Sequence, residues 1–180
     1  LAWILQDAGL EPGFLIGGIP VNFDVSARFG ESKLFVVEAD EYDTAFFDKR
    51  AKFVHYRPQT LVINNLEFDH ADIYTDLDAI LWQFHQLMRT VPGNGKVIIN
   101  GDDKNVARII EQGCWSSVER FSTTQDAEWS AHFSDKGERR LSIARDSGQT
   151  AETTWKLGGE HNLQNALAAV AAAQSAGVEF

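Results

Sequence analysis

The chain has 180 residues, enough for one domain with a real core, and 44% are hydrophobic, including five Trp and twelve Phe. Sixteen basic against 26 acidic residues leave a formal charge of −10, which disfavours a nucleic-acid partner because phosphate backbones need basic surface. One cysteine, Cys114, excludes an internal disulfide or a cysteine zinc site, and no apolar run approaches the roughly 18–20 residues of a membrane span, so a cytoplasmic protein without a membrane partner is expected.

Leu1 to Ala8 reads as the back half of a helix with no start signal, and Gly9 supplies a C-terminal cap. Phe14-Leu15-Ile16 is a short strand running into Gly17-Gly18. Residues 33–38 form the next strand, where the apolar run Leu34-Phe35-Val36-Val37 stops in Glu38-Ala39-Asp40-Glu41-Tyr42-Asp43. Lys52 to Tyr56 is expected as a short extended piece ending before Pro58. Residues 60–64 repeat the earlier form: Leu61-Val62-Ile63 stops in Asn64-Asn65-Leu66-Glu67-Phe68-Asp69-His70-Ala71-Asp72.

The clearest helix covers 76–90, with Leu77, Ile80, Leu81, Phe84, Leu87 and Met88 on one face. Thr75 and Asp78 resemble a capping box, and Pro92-Gly93 ends the helix. Lys96 to Asn100 is a buried strand and Asp103 to Gln112 another helix. Strand, loop, strand, helix, strand, helix predicts an α/β fold, a mostly parallel sheet flanked by helices. From about 118 to 157 apolar and polar residues alternate around turns at Asp135-Lys136-Gly137 and Asp146-Ser147-Gly148. That texture predicts a small antiparallel β subsheet appended to the core. Gly159 then opens an alanine-rich helix with Leu163, Leu167 and Val170 on its buried face and His161 and Asn165 opposite. The unstarted helix at Leu1 and the stop at Phe180 lead us to expect a piece of a longer enzyme.

The carboxyl edge of an open α/β sheet is where ligands bind. Glu38, at the mouth of an apolar run, is a natural ligand for Mg²⁺, which takes one or two carboxylates with phosphate oxygens and water. Asp40, Glu41 and Asp43 are expected to hold the loop or face solvent, and the whole segment reads equally as a solvated acidic loop. His70 between Asp69 and Asp72 points to a site, but imidazole suits Zn²⁺ or Mn²⁺ better than Mg²⁺. Residue chemistry therefore leaves a metallohydrolase open. The Asn165 carboxamide can donate and accept at once, as an adenine edge requires, although a polar helix start explains it as well. No G-x-x-x-x-G-K-[ST] phosphate loop occurs in these residues.

Three segments together resemble the central-domain motifs of the Mur ligases, ATP-dependent amide-bond-forming enzymes of peptidoglycan synthesis. They are Glu38-Ala39-Asp40-Glu41, Asn65-x-x-x-Asp69-His70 and Gly159-x-His161-Asn162-x-x-Asn165-Ala166. The resemblance runs over nearly the whole chain. The stretches GFLIGGIPVNF, EADEYDTAFFDKRAKFVHYRP and NNLEFDHADIY are most similar to the branch that acts in peptidoglycan recycling. It implies a P-loop NTPase-like central domain with its phosphate loop upstream of Leu1. An N-terminal UDP-binding domain and a C-terminal Rossmann-like domain would lie outside these residues. It implies ATP and Mg²⁺, with UDP-N-acetylmuramate and the tripeptide L-alanyl-γ-D-glutamyl-meso-diaminopimelate as substrates joined through an acyl phosphate.

By the same resemblance Glu38 ligates the Mg²⁺ shared with the ATP phosphates, and His70 ligates a second. Asn165 reads the adenine edge, His161 and Asn162 shape the nucleotide pocket, and Asn65 positions the loop carrying His70. One departure stands out. Several branches carry a carbamylated lysine on the helix after the Asp-His motif, whereas here no lysine occurs between Lys52 and Lys96, and Gln83 and His85 stand in that helix. An L-alanine-adding ligase, which carries Ser at the place of Tyr42, and a non-catalytic nucleotide-binding module of the same fold are the alternative readings.

Overall fold

The structure, a computed structural model, describes residues 1–68, 73–134 and 140–180. Helix α1 (Ala2–Asp7) ends as expected. Gly9 takes φ +74°, and the amides of Gly9 and Leu10 donate back to the carbonyls of Gln6 and Leu5, closing the helix with a left-handed residue that glycine adopts without strain. Strands β1 (Gly13–Leu15), β2 (Ala27–Arg28) and β3 (Phe35–Val37) form a sheet in the order β2-β1-β3, with β1 and β3 parallel. Phe14 is fully buried there, and Arg28 covers it and Phe23. The apolar run ahead of Glu38 does not make a buried strand: Phe35 is 53% exposed, and β3 is an edge strand with β1 as its one partner among the described residues.

Strands β4 (Asp43–Ala45) and β5 (Asp48–Ala51) make a hairpin that the sequence did not signal. The next segment, Lys52–His55, is a 3₁₀ turn rather than the expected extended piece. The turn sends Phe53 into the core against Phe84, centroids 4.9 Å apart, while Lys52 reaches back to Asp40.

The main sheet follows: β6 (Thr60–Ile63), helix α2 (Leu77–Met88), β7 (Lys96–Asn100), helix α3 (Lys104–Glu111), β8 (Ser117–Ser122), β9 (Trp129–Ser134), β10 (Arg140–Arg145), β11 (Thr150–Thr154) and helix α4 (Glu160–Ser175). Its strand order is β11-β10-β9-β8-β7-β6, parallel from β6 to β9 and antiparallel from β9 to β11. The expected antiparallel strands are present, appended to the parallel ones as the far half of one continuous sheet. The joint is the short pairing of Phe121 with Trp129 and Ser122 with Ser130. The start of β9 lies beside the end of β8, so the chain moves forward and needs no full crossover, which would take about a dozen residues.

Alternating side chains in the parallel strands feed two cores. Leu61, Ile63, Val97 and Ile99 face α2 and α3, whereas Val62 and Ile98 face α4. Burial on both faces explains why Val97-Ile98-Ile99 is an unbroken apolar run. On the α4 side Ala166, Ala168, Ala171 and Ala172 pack against Phe121 and Trp129, the small alanines allowing close approach. Helix α2 is capped by Asp76, whose carboxylate accepts from the Ala79 amide at 2.8 Å, and not by the Thr75–Asp78 pair. Cys114 packs beside the first core, as a small half-buried residue. No described helix is long and apolar enough to cross a membrane.

Candidate functional site at the carboxyl edge

Glu38 follows β3 directly and is exposed. Its amide donates to the Leu15 carbonyl at 3.0 Å, and its Oε2 accepts from the Gly17 amide at 2.7 Å. The end of β1 thus anchors one oxygen of this carboxylate. Anchored and exposed, Glu38 suits a hard cation that takes one or two carboxylates and completes its shell with phosphate oxygens and water. Among the described residues no three His, Cys, Asp or Glu side chains form a metal cage. His70, with Asp69 and Asp72, lies outside the described residues.

The rest of the acidic segment holds itself together. Asp40 accepts from the Tyr42 amide at 2.9 Å and from Lys52 at 3.0 Å, and Asp43 pairs with Lys49 at 2.7 Å. Tyr74 donates its hydroxyl to the Glu41 carbonyl, tying this loop to the chain that leads into α2. Burial, with the charges of Glu41, Asp43 and Asp40 nearby, pushes the Tyr74 phenol up to about 12, so it remains a donor. An open cleft of about 630 Å³ lies alongside, lined by Asp43, Lys49, Tyr74, Trp82 and Gln83. Gln83, on α2, accepts from the Ala51 amide.

The end of β6 meets α4. Period-two alternation turns Asn64 to the same face as Val62, toward α4, and its Nδ2 donates to Oδ1 of Asn165. The motif asparagine, Asn65, is exposed instead. Leu66 is then locked down: its amide donates to Asp103 Oδ2 at 3.0 Å and its carbonyl accepts from Asn105 at 2.7 Å. Asp103 also caps α3, accepting from the amides of Asn105 and Val106. Its neighbour Asp102 accepts from Ser122 and Thr124 hydroxyls at 2.6 Å each, and from the Thr123 amide at 2.8 Å. Burial works against its ionisation, but these hydrogen bonds outweigh it and hold the carboxyl below its ordinary range. Neither acid was expected in the site, although Val97-Ile98-Ile99 ending at Asp102-Asp103 is a third apolar run that stops in acids.

At the start of α4, Gly159 has φ +93° and ψ 150°, a conformation reserved for glycine. A Cβ there would lie 2.9 Å from the His161 ring. Asn162 donates to the Gly158 carbonyl at 2.7 Å and sits 3.1 Å from His161 Nε2. Glu160 accepts from Thr123 at 3.1 Å. The structure thus gathers Asn64, Asn165, His161, Asn162 and the Thr123 loop along one edge. Glu38 sits at the end of the three-stranded sheet, and Tyr74 ties the loop after it to the segment that leads into α2.

The model of the Mur ligase middle domain matches residues 19–173. The chain belongs to the Mur ligase middle-domain family. It is 51% identical, over 98% of its length, to the UDP-N-acetylmuramate–L-alanyl-γ-D-glutamyl-meso-2,6-diaminoheptandioate ligase of Escherichia coli K12, and spans 38% of that relative. A solved structure of the ligase of that kind from Neisseria meningitidis has a TM-score of 0.89 at 52% identity, covering 98% of this chain and 56% of the other. A UDP-N-acetylmuramate–L-alanine ligase from Paenarthrobacter aurescens is 33% identical over 99% of this chain and 38% of its own length. This Mur ligase middle domain therefore spans well under half the length of the curated relatives it matches.

Proposed function

We propose that these residues are the ATP-handling middle domain of a cytoplasmic ligase that joins L-alanyl-γ-D-glutamyl-meso-diaminopimelate to UDP-N-acetylmuramate in peptidoglycan recycling. The observation that carries the reading is the identity to ligases of that name, 51% against 33% for an L-alanine ligase over almost the same residues. The remainder of the protein would supply the phosphate loop, the UDP-binding domain and the Rossmann-like domain. Asn165 reads the adenine edge, with His161 and Asn162 shaping the pocket around it. Glu38 holds Mg²⁺ at the ATP phosphates and His70 holds a second ion, with Asn65 positioning the loop that carries His70. Bound Mg²⁺ supplies neutralisation of the charge that builds up as a carboxylate meets a phosphate. The anchoring of Glu38 by the Gly17 amide supports its part in this.

The test is a ligation assay on the full-length protein with ATP, UDP-N-acetylmuramate, and either the tripeptide or free L-alanine. Tripeptide preference is expected; preference for L-alanine would replace this reading with the alanine-adding one, and ligation of neither would favour a binding module. In the same assay Glu38→Ala should lower turnover roughly a hundredfold or more, because lost charge stabilisation at a metal is worth several kcal/mol. Near-normal turnover would remove Glu38 from the metal.

A further inference from the structure

Among the described residues, none assigned to ATP or Mg²⁺ lines the cleft beside the acidic loop. One wall is the β4–β5 hairpin, which supplies Asp43 and Lys49. The other is α2 with the segment before it, which supplies Trp82, Gln83 and Tyr74. Its volume of about 630 Å³ falls in the range of roughly 300–1,000 Å³ typical of ligand clefts. Tyr74 donates to the Glu41 carbonyl, so the cleft opens beside the loop that follows Glu38. In its wall Lys49 Nζ pairs with Asp43 Oδ2 at 2.7 Å, with the lysine side chain 69% exposed. An exposed pair of this kind contributes at most about 1 kcal/mol to stability, so folding gives little reason for it. Nor does pairing exhaust the two groups. An ammonium has three donors and a carboxylate about four acceptor sites, and this contact takes one of each.

The cleft thus presents a cation and an anion side by side. The ligand group that complements both at once is the head group of an amino acid, an ammonium and a carboxylate on one carbon. Its carboxylate meets Lys49, its ammonium meets Asp43, and the four charges alternate in sign. A peptide substrate offers one such group. In L-alanyl-γ-D-glutamyl-meso-diaminopimelate the alanine amine is the nucleophile, and the far end of the diaminopimelate residue carries a free ammonium and a free carboxylate on one carbon. We propose that Lys49 and Asp43 form the subsite for that head group, and that Lys49 makes the ligase specific for diaminopimelate over lysine in the last position of the peptide. Lysine keeps the ammonium but lacks the carboxylate, so it gives Lys49 nothing to hold. The inference rests on the reading of the protein as a peptide ligase, and the experiment separates the two.

KM and kcat would be measured on the full-length protein and on its Lys49→Met, Lys49→Arg and Asp43→Asn variants, with the tripeptide ending in meso-diaminopimelate and with the one ending in L-lysine. Wild type should prefer the diaminopimelate peptide; equal use of the two would overturn the inference. Lys49→Met should raise the KM for the diaminopimelate peptide roughly tenfold, the effect of one charge-assisted hydrogen bond, with kcat within about twofold. It should not raise the KM for the lysine peptide. Lys49→Arg keeps the charge and should keep most of the preference. Asp43→Asn should raise the KM for both peptides, because both carry the ammonium. An equal loss for the two peptides in Lys49→Met, or no loss for either, would overturn the inference, since a purely structural lysine does not sense one carboxylate of the substrate. Should Lys49→Met not fold, Asp43→Asn decides: an unchanged KM for both peptides would overturn the inference. Ligation of neither peptide by wild type would instead overturn the peptide-ligase reading, and the inference with it.

Discussion

Glu119 ties together strands that are far apart in sequence. Its carboxylate accepts from Lys96 on β7 and from the Trp129 indole on β9 at 3.0 Å, and Arg145 on β10 lies 3.8 Å away. Burial raises its pKa, but hydrogen bonds from Lys96 and Trp129 and the charges of Lys96 and Arg145 outweigh it, and the net direction is down. A carboxyl lowered on folding contributes stability above its unfolded value, about 4.3 for Glu, and that contribution is lost as pH falls through the lower folded value. Glu119→Gln should therefore cost about 1–2 kcal/mol at pH 7. Urea melts should show the gap to wild type closing below about pH 4. A gap that persists in acid would mean that shape, not charge, is what Glu119 supplies. At this scale the sequence was a partial guide. It pointed through a motif to Asn65, as the residue that positions the loop carrying His70, and gave no place to Asn64, which contacts Asn165. The alternation Leu61, Val62, Ile63, Asn64 carried that signal, yet only once Val62 is known to face α4.

Among the elements, the loop after β6 is held by the start of α3. Asp103 serves three amides, those of Asn105, Val106 and Leu66, so one residue both caps a helix and fixes the segment leading toward His70. Asp103→Ala should remove a cap worth about 1 kcal/mol and leave the amide of buried Leu66 unpaired, for about 2 kcal/mol in all. Hydrogen exchange should then speed up at Leu66 and Val106 together; protection unchanged at Leu66 would show that the loop is held by something else. The helices and strands of the parallel half were legible because each buries a face with a regular period. The strand at 96–100 was expected with the bounds it has. The 3₁₀ turn at 52–55 and the hairpin before it were not, since both depend on where Phe53 finds its pocket and on which cations Asp40 and Asp43 reach.

In the molecule as a whole, the main sheet with α2, α3 and α4 forms one layered body, and Glu38 ends the three-stranded sheet beside it. The 180 residues contain no phosphate-loop motif. The isolated chain should accordingly bind ATP at least about a hundredfold more weakly than the full-length protein, as each tenfold needs only about 1.4 kcal/mol of lost phosphate contacts. It should form no amide bond. Calorimetry with ATP and Mg²⁺, and product analysis on both proteins, would check this; ligation by the isolated chain would refute it. By itself the sequence determined the α/β class, the sheet edge that carries the polar residues, and the family, because periodicity, apolar runs ending in acids, and motif spacing are all local in the chain. Only the tertiary structure decided that the antiparallel strands continue the parallel sheet, that Asp102 and Asp103 build the edge, and that Asn64 faces Asn165. Those outcomes depend on which strand lies beside which and under which helix, and distant residues settle that by packing together.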